Sequence, residues 1–93
     1  MMYFVYILYS SEFDKYYIGQ TNDVKMRLHR HNSGYEKATS PYKPWELLFY
    51  AKKDSRSEAM ILEKKLKNLS KERIKIFIAK YSGGSDDASM SEC

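Results

Sequence analysis

F-V-Y-I-L-Y-S-S-E-F-D-K-Y-Y-I-G-Q-T-N-D-V-K-M-R-L-H-R-H, from Phe4 to His31, contains two tyrosine-bearing apolar runs and a helix. In the first run the sets Tyr3/Val5/Ile7/Tyr9 and Phe4/Tyr6/Leu8 alternate, so a strand here has cover on both faces and lies at the centre of a sheet. The second run, Lys15 to Gln20, is β-prone and follows a polar connection of hairpin length, which predicts an antiparallel pair. After Gly19 the period becomes helical. Val24, Arg27, Leu28 and His31 stand at i, i+3, i+4 and i+7 and share one face. Two of these four are polar, although the stripe of Val24 and Leu28 must face the sheet. A solvated helix would place Arg27 and His31 outside with Lys25, His29 and Arg30, so their inward position is the strongest functional signal in the chain.

Working outward, Thr21 or Asn22 can cap this helix, Asp23 complements its dipole, and Gly34 closes it. From Tyr35 to Pro44 runs a polar connection in which Lys37 and Lys43 are interleaved with Tyr35 and Tyr42, a pattern suited to phosphates and bases. Glu46 to Lys52 reads as a third strand pairing with the first two. S-R-S-E at Ser55 to Glu58 is a capping box that starts a helix near Arg56. Its inward stripe is Ala59, Leu62, Leu66 and Leu69, with Glu63 at the border and Lys64, Lys65 and Lys67 on the outer face. Ser70 caps a third helix with the stripe Ile74, Phe77, Ile78, Tyr81. The expected fold is α/β (α+β): a three-stranded antiparallel sheet flanked by about three helices. It forms one domain over residues 1–81, followed by an acidic Ser/Gly tail, 82–93, expected to be disordered.

All 16 Lys and Arg lie at or before Lys80, against nine Asp and Glu, a net of +7 for the body compared with +4 for the whole chain. Such a body favours polyanionic partners, although lysine-rich surfaces also serve solubility alone. The single cysteine, Cys93, supports neither an internal disulfide nor a cysteine zinc site. No apolar run approaches the ~20 residues that span a bilayer. These features predict a soluble cytoplasmic protein with no membrane partner.

V-Y-I at Val5 to Ile7, Y-I-G at Tyr17 to Gly19, R-L at Arg27 and Leu28, and H-N-S-G at His31 to Gly34 resemble, in order and spacing, the motifs of the GIY-YIG nucleases. R-S-E-A-M-I-L-E-K-K-L-K, Arg56 to Lys67, resembles the helix that supplies that family's metal-binding glutamate. The likeness covers roughly residues 3 to 80 and is of the kind seen in the catalytic domain of the excision-repair nuclease. It implies a Mg2+- or Mn2+-dependent DNA endonuclease of DNA repair or processing; the small size and lysine-rich charge of the chain imply weak sequence specificity, with targeting from DNA shape, a partner protein or a homodimer. The resemblance also implies roles: Tyr6 as general base, Arg27 on the phosphate, Glu63 on the metal, and Tyr17 and His31 positioning water or phosphate. Gly19 would let the backbone turn tightly beside them, and Gly19, Gln20, Lys37 and Lys43 would contact substrate. Phe4 replaces the first glycine of the family's G-I-Y, and Gln20 stands where many relatives carry lysine.

The plainer readings stay beside these. Tyr6 and Tyr17 can be core tyrosines, Arg27 a snorkelling side chain, His31 a polar cap, and Glu63 an i,i+4 partner of Lys67. At the level of function the counterpart is a non-catalytic GIY-YIG scaffold that binds nucleic acid or protein.

Overall fold

The computed structural model describes residues 2–81, so the expected tail at 82–93 lies outside the described residues. The strands are β1 (Tyr3–Ser10), β2 (Lys15–Thr21) and β3 (Glu46–Lys53), and the helices are α1 (Val24–Ser33), α2 (Arg56–Lys67) and α3 (Lys71–Tyr81). They form the expected sheet with three helices. Its order is β2-β1-β3, antiparallel throughout. β3 therefore pairs with β1 alone and not with both earlier strands, because β1 takes the centre and its two edges are filled by β2 on one side and β3 on the other.

Val5, Tyr6, Ile7 and Leu8 are all buried, as alternation on a doubly covered strand requires. On one face Val5, Ile7, Ile18, Phe49 and Ala51 pack against Ala59, Leu62 and Leu66 of α2 and Ile74 of α3. The other face is smaller: Tyr6, Leu8 and Trp45 gather Tyr17, Leu28, Tyr42 and Leu47. Between β1 and β3 the register shifts after Ile7, which faces Phe49 while Leu8 faces Leu47, so Leu48 is the extra residue of a bulge.

Local signals explain the element ends. Asp23, not Thr21 or Asn22, caps α1, its side chain accepting from the Met26 amide at 3.1 Å. Thr21 shapes the turn before it, its hydroxyl accepting from the Asp23 amide. Gly34 closes α1 with φ 86°, a left-handed conformation that favours glycine. Ser55 and Ser70 accept from the Glu58 and Arg73 amides, as the sequence predicts. The β1–β2 connection turns through Asp14, whose φ is 52°. The Asp14 carboxylate accepts from the Tyr9 hydroxyl and pairs with Lys71, tying the hairpin to α3.

The connection after α1 is more structured than its polar composition predicts. It contains a 3-10 turn at Ser40–Tyr42 and is pinned to the sheet by Ser10, whose hydroxyl donates to the Tyr42 carbonyl at 2.6 Å. Asn32 accepts from the Trp45 amide and donates to the Trp45 carbonyl, and the Trp45 indole donates to the Thr39 carbonyl. Thr39 becomes buried as a result. No helix among the described residues is long and apolar enough to cross a membrane.

Candidate active site

The inward stripe of α1 lies over the Tyr6 face of the sheet. Val24, Arg27 and Leu28 are half-buried and His31 is 1% exposed, while Lys25, Met26, His29 and Arg30 face solvent. Tyr6, also 1% exposed, places its hydroxyl 3.1 Å from His31 Nε2. His31 Nδ1 lies 2.7 Å from Thr39 Oγ1, and the Thr39 hydroxyl donates to the Glu36 carbonyl at 3.4 Å. One polarity satisfies all three contacts. Thr39 gives its proton to Glu36 and accepts from Nδ1–H, which leaves Nε2 bare to accept from the Tyr6 hydroxyl. Burial lowers the His31 pKa below its ordinary value, with Glu36 opposing and Arg27 and Arg30 assisting, and this keeps the imidazole neutral. The Tyr6 phenol is pushed up, first by burial and then by Tyr17; Arg27 acts in the opposite sense through its charge and hydrogen bonding. Tyr6 is therefore protonated without a ligand, and a neutral imidazole stands ready for its proton.

Tyr17 flanks the pair, its ring centroid 6.2 Å from that of Tyr6 and 4.8 Å from that of His31. Gly19 faces Tyr6 across the strand pair. A Cβ at Gly19 would come 2.8 Å from the Tyr6 hydroxyl oxygen and 3.1 Å from a Tyr17 ring carbon. The glycine thus leaves room for two rings, and its place within β2 corrects the expectation of a tight turn. A groove of about 430 Å3 opens on the Tyr17 side, lined by Lys15, Tyr16, Thr39, Tyr42, Trp45 and Lys71 among others.

Gln20 points to the opposite face, where its side-chain amide donates to Glu63 Oε1 at 2.8 Å. The other carboxylate oxygen, Oε2, is 2.9 Å from Lys67 Nζ. The i,i+4 pair is therefore present together with a second bond from the sheet, and Glu63 keeps 17% of its side chain exposed. Tyr6, Tyr17, Gly19, Arg27 and His31 come together on the α1 face, and Glu63 reaches the same edge strand from the α2 face. Gln20, expected at substrate, is committed to Glu63. Lys37 and Lys43 are exposed on the connection, with Lys43 reaching toward Gly34.

A family model for the GIY-YIG catalytic domain matches residues 2–76. The chain belongs to this nuclease family. The solution NMR structure of the UPF0213 protein of Bacillus halodurans is similar, with 30% identity, a TM-score of 0.59, and coverage of 95% of this chain and 94% of that one. Comparison with curated proteins yields no significant match. Sequence reasoning missed Thr39 in this GIY-YIG domain, because a threonine in a polar connection carries no periodic signal; its burial follows from the Asn32–Trp45 clamp. The H-N-S-G motif was the available clue, since His31 and Asn32 each bind residues of that connection.

Among the described residues no three His, Cys, Asp or Glu side chains cluster as a metal cage. One partly exposed carboxylate fits a hard cation of the Mg2+ kind, which keeps several waters and takes further oxygens from a phosphate. It does not fit a tetrahedral zinc centre.

Proposed function

We propose that this GIY-YIG domain is a Mg2+- or Mn2+-dependent endonuclease that hydrolyses DNA phosphodiesters, acts in the cytoplasm on repair or processing intermediates, and has weak sequence preference. The observation that carries the reading is the Tyr6 hydroxyl 3.1 Å from His31 Nε2 within the electrostatic reach of Arg27. An attacking water gives its proton to Tyr6 Oη as Tyr6 passes its own to Nε2, so no free phenolate is needed in a site that disfavours one. His31 then carries the positive charge, and Thr39 holds the ring in place. Arg27 neutralises charge on the non-bridging phosphate oxygens with a planar fork suited to them. Tyr17 fixes the lateral position of the phosphate. Glu63, oriented by Gln20, holds the cation, which when bound supplies charge neutralisation at the phosphate and the leaving oxygen.

The test is incubation of supercoiled, branched and flapped DNA with and without Mg2+ or Mn2+. Wild type should nick or cut at least one substrate in a metal-dependent way, and Glu63→Ala should lose at least about 100-fold of that rate while keeping its melting temperature. Metal-independent cleavage, or full activity in Glu63→Ala, would remove Glu63 from the site.

A further inference from the structure

The strand register places a second group of side chains beside Tyr6. Directly opposite residues of an antiparallel pair share a face, with Cα atoms roughly 4.5–5.5 Å apart. Tyr6 faces Tyr50 and Phe4 faces Lys52, so these four residues form a two-by-two grid, with Phe4 and Tyr6 adjacent on the same side of β1. Tyr6 is covered by α1, but the remainder of the grid is open. Tyr50 is 53% exposed, Phe4 is partly exposed and Lys52 is exposed. The Phe4 and Tyr50 rings lie edge to face with centroids 6.0 Å apart, a favourable aromatic contact.

Exposed aromatic rings on a sheet normally cost solubility and contribute nothing to the core. Here they share the sheet face of Tyr6 and neighbour it in the strand register, and the neighbouring charge on the grid is positive. An aromatic surface with an adjacent lysine suits a single-stranded nucleic acid, whose bases stack on rings without regard to sequence while its phosphates meet cations. Duplex bases are already stacked on one another and offer no free faces.

Resting on the nucleic-acid reading above, we propose that Phe4, Tyr50 and Lys52 form a stacking subsite for an unpaired DNA base next to the phosphate held at Tyr6 and Arg27. The substrate is then DNA with single-stranded character at the cut, such as a flap, a branch or a frayed end. A plain duplex is a poor ligand.

The experiment measures fluorescence anisotropy of a labelled 12-nucleotide single strand and of the matching duplex in EDTA, so that cleavage does not enter the readout. Wild type should prefer the single strand. Tyr50→Ala should weaken single-strand binding about 10-fold and duplex binding by less than 2-fold, and Tyr50→Phe should restore it because the ring carries the effect. Lys52→Ala should reduce the salt dependence of binding. Tyr50 is surface-exposed, so its variants are expected to fold, as a thermal melt would show. Equal single-strand affinity in wild type and Tyr50→Ala overturns the proposal. So does a concentration-dependent self-association in sedimentation that Tyr50→Ala abolishes, because a second copy would then occupy the face, and so does an equal loss on the single strand and the duplex alike. If wild type cleaves no DNA with either metal but shows this binding pattern, the nuclease reading fails while the subsite stands.

Discussion

At the scale of single residues, Gly19 and His31 decide how the phenol is presented. Gly19 is a packing glycine: the Tyr6 hydroxyl oxygen lies where 2.8 Å would separate it from a Cβ, and Tyr17 closes the other side. Gly19→Ala must push two rings that are themselves confined, so it should destabilise the fold by about 1–3 kcal/mol, the usual range for overpacking. It should also displace Tyr6 from His31. Urea titration reads the first effect, and an unchanged midpoint would mean that the rings move freely. His31 makes a pH prediction. Its pKa is lowered in the folded chain, so near its ordinary value of about 6.5 the unfolded chain takes up a proton that the folded chain refuses. Stability should hold above pH 7, fall as pH drops through about 6.5, and stop falling from this cause below the folded pKa. Denaturant midpoints from pH 8 to pH 5 in wild type and His31→Gln would show it. The decline should be flatter in the variant, and equal slopes would assign it to other groups.

At the scale of elements, the helical repeat of α2 places Glu63 and Lys67 one turn apart, and the pleat of β2 turns Gln20 toward the same carboxylate. Each Glu63 oxygen has a donor, so a cation held there as proposed would have to compete with the Lys67 ammonium or the Gln20 amide. Lys67 is half-exposed, which limits the pair to the ~0.2–1 kcal/mol of a solvated ion pair. Lys67→Met should therefore tighten Mn2+ binding by about 1.5- to 5-fold, measured by calorimetry or by the paramagnetic resonance of free Mn2+. Unchanged or weaker binding would mean that the cation reaches Glu63 without disturbing the lysine. The connection between α1 and β3 belongs to the same scale. Asn32 grips both backbone groups of Trp45, and that grip carries Thr39 into contact with His31.

At the scale of the whole molecule, a basic body of one small domain sets the expected binding regime. Sixteen Lys and Arg face nine Asp and Glu up to and including Lys80, and much of that charge is lysine, which reads phosphates as a point charge and carries no base code. A single recognition module buries only ~600–1,000 Å2 of protein surface on DNA. Binding should be modest, nearly equal across unrelated sequences, and linear in log affinity against log salt with a negative slope, losing at least about 10-fold between 50 and 200 mM salt. Anisotropy titrations on several duplexes and branched DNAs would check this. Nanomolar preference for one short duplex sequence at 150 mM salt would contradict it.

The two-sided strand at Tyr3–Ser10, the hairpin, the three helical stripes and the inward Arg27 and His31 were all legible in the chain, because each is a periodic or capping signal set by neighbours within about seven residues. Family membership followed from the same motifs. Other features required the folded chain. Asp23 won the cap over Thr21 and Asn22 through backbone geometry, β3 found β1 alone because the sheet has a centre, and Gly19 proved to be space for rings that come from two strands. The Tyr6–His31–Thr39 chain and the Gln20–Glu63 bond span 25, 8 and 43 positions in sequence. Contacts at such separations leave no local pattern; the sheet register and the packing of α1 and α2 on its two faces bring these groups together.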